Sequence, residues 1–267
     1  MFEIKIPKKI TKLSIETFFI NKGLDYLVDL SKRPNPSVNQ MASNEPLKPD
    51  LEDLYYLYQY VLINKRTTIF EFGSGWSTLI LSLALKELAN SYSDEVKVLR
   101  RNNSFQLFCL ENEKKYLNIT KNKIKNFNNY NNITKPIKIE YLFSDVEMTT
   151  FNDRICTQYK KLPLCNPDFI YLDGPNQFNV KKDINGINTI HKDMMPMVCD
   201  ILKLEYFYTP GTIIICDGRA ANVQFLKDHF KRNWKYLCDR KNDQHIFWLV
   251  DPSLGKYNDL QLQFYKK

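Results

Sequence analysis

The sequence predicts a doubly wound, mainly parallel α/β sheet of seven strands, closed by an antiparallel C-terminal hairpin and preceded by a helical N-terminal extension. Three observations predict it. Five short apolar runs alternate with stretches of helical periodicity, the signature of βα units feeding a parallel sheet. Each run ends at an acid or one or two residues before one: Glu71, Glu111, Asp145, Asp173 and Asp217. Two further β-like runs, Trp234–Cys238 and His245–Val250, are joined by a short link and therefore pair as a hairpin.

Residues 1–49 read as the extension and residues 50–267 as the main domain. In the extension, Ile15, Phe18, Phe19, Leu24, Leu27, Val28 and Leu30 predict one helix from Ser14 to about Lys32, ended by the prolines of Arg33–Ser37. Three roles stay open for this arm: a substrate lid, a contact in a homo-oligomer, or packing against the core. Asp50 is placed to cap a helix reaching Ile63, whose Tyr55, Tyr56, Tyr58 and Tyr60 would cover the sheet. The first strand, Thr67–Phe72, enters a turn at Gly73-Ser74-Gly75, and a helix runs from Trp76 to about Leu88. Ser91–Ser104 reads as a polar insertion.

Phe105–Leu110 is the second strand, followed by a helix from Asn112 to Phe127 with lysines on its outer face. Ile137–Phe143 is the third strand and leads to Ser144-Asp145-Val146. Residues 147–166 carry no assignable pattern. Pro167–Pro175 holds the fourth strand and a tight Gly-Pro turn. A polar loop over Asn176–Lys192, a helix over Asp193–Tyr206, the fifth strand Thr212–Cys216 and a helix over Ala221–Phe230 complete the alternation.

Composition narrows the function classes. A chain of 267 residues, 43% hydrophobic, can bury one sizeable core. No run approaches the ~20 apolar residues that span a bilayer, and the first residues lack a signal-peptide core. A soluble, cytoplasmic protein is the expectation. The six cysteines form no C-x-x-C pair and no cluster with the three histidines, which argues against structural zinc and for reduced thiols. The net charge of +8 attracts acidic partners, but it is spread along the chain except at Lys114–Lys138. That distribution favours a small-molecule partner, with or without a phosphate or sugar, over a nucleic acid.

The chemistry gathers at the strand ends, where open α/β sheets bind their ligands. Glycines at 73 and 75 let a ligand approach the backbone, and the following helix offers free N–H groups. Five acids on one rim repel one another unless something cationic or hydrogen-bonding lies among them. S-adenosylmethionine, with its ammonium, sulfonium, ribose diol and adenine amine, suits such a rim. Glu111 is placed to accept the ribose hydroxyls. Glu71 and the Gly73–Gly75 backbone would face the aminocarboxylate end, and Asp145 or Ser144 the adenine.

Glu71-x-Gly73-x-Gly75, Glu111, Ser144-Asp145-Val146 and the closing hairpin resemble the class I S-adenosylmethionine-dependent methyltransferases over about residues 50–250. Tyr171–Phe178, with Asp217, is similar to a subgroup related to small-molecule and sugar O-methyltransferases. The resemblance implies a Rossmann-like methyltransferase fold and cofactor contacts at Glu71, Gly73, Ser74, Gly75, Ser77, Glu111, Ser144, Asp145 and Asp173. It further implies that Asp173 and Asp217 hold Mg²⁺ or act on the acceptor hydroxyl. His245, which opens the last strand, is another candidate base, and Lys181, Lys182 and Arg219 flank the acceptor mouth. Ser77 stands where the family has a third glycine, Asn176 where the subgroup has a histidine, and Gly218 where metal-dependent members have an asparagine.

Three other readings use the same fold. A nicotinamide-binding oxidoreductase would want a final glycine where Thr78 stands, and Glu71 suits a cationic tail better than a pyrophosphate. A methyltransferase acting on nucleic acid or protein, and a non-catalytic nucleotide-binding protein, stay open as well.

Overall fold

The computed structural model describes residues 2–34, 47–191, 193–195 and 197–267. Most of the proline break expected at Arg33–Ser37 lies outside these residues. Helix α1 (Lys12–Asn21) starts where the Thr11 hydroxyl accepts from Ser14 N at 3.2 Å. The single helix expected to Lys32 is divided: Gly23 takes φ +70°, and α2 (Asp25–Ser31) begins anew. Phe19, Leu24 and Leu27 are fully buried, so the break lets both pieces press onto the same core.

Asp50 caps α3 (Leu51–Ile63) by accepting from Glu52 N and Asp53 N at 2.9 and 3.3 Å. Tyr56, Tyr58 and Tyr60 are buried on it, and the Tyr58 hydroxyl donates to Glu87. Strand β1 (Thr68–Phe72) and β2 (Gln106–Glu111) flank helix α4, which runs from Trp76 to Lys97 rather than ending near Leu88. The first half of the stretch read as a polar insertion is thus the outer end of α4, kinked at Tyr92. Exposed helical positions need no apolar residue.

Helix α5 (Lys114–Tyr130) precedes β3 (Lys138–Phe143). The unassigned stretch after it folds as β4 (Val146–Phe151) and β5 (Arg154–Tyr159), joined by Asn152 and Asp153, both at positive φ. Beyond β6 (Phe169–Leu172), the two-residue strand β7 (Val180–Lys181) pairs with β4, and together they make a second sheet ordered β5-β4-β7. The long helix expected over Asp193–Tyr206 shrinks to α6 (Asp200–Lys203) and a 3₁₀ turn at Glu205–Phe207.

The chain closes with β8 (Ile213–Asp217), α7 (Ala220–His229), β9 (Trp234–Asp239), β10 (Gln244–Leu249) and α8 (Lys256–Lys266); sequence periodicity did not reveal the last helix. Seven strands pair in the order β3-β2-β1-β6-β8-β10-β9. The first five are parallel, and β10 is antiparallel to both neighbours.

Alternation sends each strand's side chains to two cores. Ile69, Leu107, Phe169, Ile213 and Ile246 meet the helical face, where α1 to α5 and α8 pack. Phe70, Phe72, Phe108, Ile170 and Ile214 meet the small sheet, α6 and α7. Among the described residues no helix is long and apolar enough to cross a membrane, and all six cysteines are free.

Candidate functional site

Strand order reverses between β1 and β6, so the crevice opens past their carboxyl ends. Two turns meet there at close quarters. Gly73 follows β1 at φ +107°, and a Cβ added at Gly174, after β6, would come 2.7 Å from Gly73 N. Gly73 N donates to Leu110 O at 2.8 Å and Asp173 N to Phe72 O at 3.0 Å, which ties both turns to neighbouring strands.

Above them lies a cleft of about 500 Å³, within the range of small-molecule sites. Of the residues expected at the site, it is lined by Gly73, Ser74, Gly75, Ser77, Glu111, Asp173 and Asp217. Glu111 Oε1 accepts from Asn112 N and Glu113 N at 2.8 and 2.9 Å, while Oε2 accepts the Ser74 hydroxyl at 2.6 Å. Burial pushes the Glu111 carboxyl up to about 7 against the pull of these bonds. Asn112 links this corner to the opposite wall. Its amide donates to Asn176 O and Asn179 O at 3.0 and 3.1 Å and accepts from Asn176 N at 2.9 Å.

Glu71 lies beneath the turn rather than in the lining. It is fully buried, takes the Ser77 hydroxyl at 2.5 Å, and leaves Oε2 without a partner among the described residues. Burial raises its carboxyl to about 8. Its contribution is to hold the start of α4 in place.

Across the cleft, solvent reaches the Asp173 side chain. Desolvation by the surrounding walls, then the neighbouring Asp217, raise it to about 7. Asp217 Oδ2 accepts the Tyr171 hydroxyl at 2.7 Å, and burial with Asp243 and Asp50 nearby raises it too. Arg219 spans the turn after β6, donating from Nη1 to Asp173 O at 3.0 Å and from Nη2 to Pro175 O at 3.1 Å. Asp53 lines the same mouth, and burial followed by repulsion from Asp217 and Asp50 lifts it to about 8.

Sequence reasoning did not pick out Asp53 or Lys123. Asp53 stands one turn past the Asp50 cap, the only hint of its direction. Lys123 belongs to the lysine-rich stretch read as an outer face, yet its ammonium sits 3.4 Å from the Trp76 ring centroid and burial lowers it to about 8.

The other expected residues lie elsewhere. Ser144 is buried, its hydroxyl accepting from Lys161 N at 2.9 Å, and neither it nor Asp145 lines the cleft. The reason is that the chain turns at once into β4, away from the mouth. His245 is also outside the lining. Its Nδ1 meets the hydroxyl of Tyr236 on the edge strand β9 at 2.7 Å, and burial lowers its pKa. Lys182 pairs with Glu147 at 2.8 Å, and Lys181 donates to Asn179 at 2.9 Å.

Among the described residues no three His, Cys, Asp or Glu side chains gather to hold a metal. Asp217 is already engaged by Tyr171, and the Arg219 guanidinium supplies the positive charge beside Asp173.

No family model and no curated protein matches the chain. Solved structures similar to it include an O-methyltransferase from Bacillus cereus in complex with SAH, at 15% identity and TM-score 0.40, covering 89% of this chain and 100% of that one. The O-methyltransferase TomG from Streptomyces achromogenes, in complex with SAM, is 10% identical at TM-score 0.40, covering 91% and 100%. A methyltransferase from Geobacter sulfurreducens is 11% identical at TM-score 0.41, covering 86% and 98%. At such distances the functional reading rests on the chain's own cleft.

Proposed function

We propose that the chain is an S-adenosylmethionine-dependent methyltransferase acting on an oxygen of a small-molecule or sugar-type acceptor. The observation that carries this is the convergence of the glycine turn, Glu111 and Asp173 on one cleft at the sheet's switch point. The sheet order, with β10 antiparallel between β8 and β9, supports the same reading.

The residues present fit the cofactor. Gly73–Gly75 offers bare backbone to the aminocarboxylate end, and Glu111 takes the ribose hydroxyls once Ser74 releases its Oε2. Tyr116, in the lining near Glu111, is the aromatic surface available to adenine. When bound, the cofactor supplies an electrophilic methyl group on a sulfonium.

The protein's own residues orient the acceptor, exclude water and take a proton. Asp173 is the base: its carboxylate oxygen accepts the acceptor's hydroxyl proton, and a pKa near 7 keeps it competent at neutral pH. Arg219 holds the turn that carries it. Trp76, Pro175 and Phe178 line the walls and keep water out.

Calorimetric titration with S-adenosylmethionine, its demethylated product and NAD(H) tests the reading. Binding of the first two without NAD(H) is the expected result; NAD(H) binding alone overturns it. An acceptor screen that follows release of the demethylated product then identifies the substrate.

A further inference from the structure

A second cavity, of about 410 Å³, lies at the opposite end of the sheet from the cleft. Its walls come from residues that precede strands or begin them: Thr68, the Arg100–Asn103 loop before β2, Asn166 before β6, Thr209 before β8, and α8. Beneath it is a charge imbalance. Asp168 is fully buried and saturated, accepting Thr67 N at 2.9 and 3.0 Å, the Thr67 hydroxyl at 2.8 Å, Thr68 N at 2.8 Å and the Tyr265 hydroxyl at 2.8 Å.

Two buried guanidiniums share this one carboxylate. Arg66 is fully buried on the Tyr265 ring, 3.9 Å from its centroid, and none of its side-chain nitrogens has a hydrogen-bond partner among the described residues. The Arg101 side chain is 3% exposed; its Nη2 is 3.3 Å from Asp168 Oδ2, yet neither Nε nor Nη2 makes a hydrogen bond. The other acid of this region, Glu140, is exposed and takes the Gln106 amide at 3.4 Å. One buried positive charge is therefore left without a counter-charge, an arrangement costly enough to call for an external partner.

Of the two arginines, only Arg101 lines the cavity. Arg100 stands at the rim over Tyr257, 5.6 Å from its ring centroid. Asn102 and Asn166 line it as well, and their side chains have no hydrogen-bond partner among the described residues. A buried arginine pair with one excess positive charge, Arg101 of it in the cavity wall, a further guanidinium at the rim and uncommitted amides make a receptor for a planar or tetrahedral oxyanion.

We propose that this cavity is a second binding site, for a small ligand bearing a phosphate or carboxylate group, with Arg101 as its buried counter-charge and Arg100, Asn102 and Asn166 as its rim. It stands apart from the cleft and does not depend on what the cleft binds.

The test is thermal unfolding of the full chain against increasing inorganic phosphate and, separately, succinate, each compared with sodium chloride at equal ionic strength. At least one of the two oxyanions is expected to raise Tm saturably, and which one does so fixes the ligand class. Asn166→Asp, an exposed change that puts a negative charge at the rim, is expected to weaken that affinity at least tenfold, and Arg100→Ala to weaken it severalfold. Glu111→Gln, in the cleft, leaves it unaltered. Absence of saturation beyond the ionic-strength effect overturns the proposal, as does a shift that survives in both rim variants or disappears with Glu111→Gln.

Discussion

Gly174→Ala probes an approach of backbone to backbone. The added Cβ would lie 2.7 Å from Gly73 N, 2.8 Å from Gly73 Cα and 2.9 Å from Phe72 C. All three are backbone atoms, so no side chain can swing aside, and the turns after β1 and β6 must part until contact is ordinary, at 3.4 Å or more. Overpacking of this kind costs about 2 kcal/mol, which lowers Tm by about 4–8 °C in a chain of this size. The shift falls on the floor of the cleft, and cofactor affinity should drop at least tenfold, since displacements near 1 Å cost up to about 10²-fold at reacting sites.

Gly75→Ala is the matched control: its φ of 170° suits any residue, and its Cβ would meet only Ser77 Oγ at 3.9 Å. Its Tm should stay within about 2 °C of the parent. Differential scanning calorimetry with calorimetric titration reads both quantities. Equal Tm values for the two variants would refute the argument that the Gly73–Gly174 contact sets the cleft floor.

Three further outcomes follow from the site. Glu111→Gln keeps an oxygen for the Asn112 and Glu113 amides but turns a donor toward the ribose, so S-adenosylmethionine should bind about 10- to 100-fold more weakly. Retained affinity in a titration would remove Glu111 from the cofactor site. Asp173→Asn should lower kcat by about 10²–10⁴ with cofactor affinity kept, and the parent's rate should rise with pH through about 7; a flat profile would rule out Asp173 as base. Glu71 holds its proton in the folded state up to about pH 8, whereas the unfolded chain releases it near its ordinary value of 4.5. The folded state thus binds more protons across that window, and stability falls as pH climbs through it. Asp53, Glu111 and Asp173 act in the same direction. Glu71→Gln should flatten the decline of Tm between pH 5 and 8, an effect that buffered thermal melts measure directly.

Parallel strands β1, β2, β6 and β8 were legible because they are buried on both faces and so read as continuous apolar runs, each closed by a turn and an acid. The β4–β5 hairpin was not, because one face of it is solvated and Thr149, Thr150, Arg154 and Gln158 break the apolar pattern. Helix α4 outran its apolar stripe once it left the sheet, and α8 hid because polar Asn258 and Gln261 are buried on it among hydrogen bonds. At the site, the glycine turn, Glu111, Asp173 and Asp217 could be placed because strand ends fix their direction. Glu71 ends its strand pointing into the interior, and Ser144-Asp145 precede a strand rather than a helix, which no local pattern announced.

The position of β10 has a consequence for how the chain comes together during synthesis. β9 is made first but pairs only with β10, and β10 is the strand that lies against β8. Until residue 249 is available, the Ile213–Cys216 edge has no neighbour on that side and offers open N–H and C=O groups along an apolar strand. Nascent chains halted at residue 243 should therefore be sticky and protease-sensitive, whereas chains halted beyond α8 should not, a contrast that limited proteolysis of stalled chains measures.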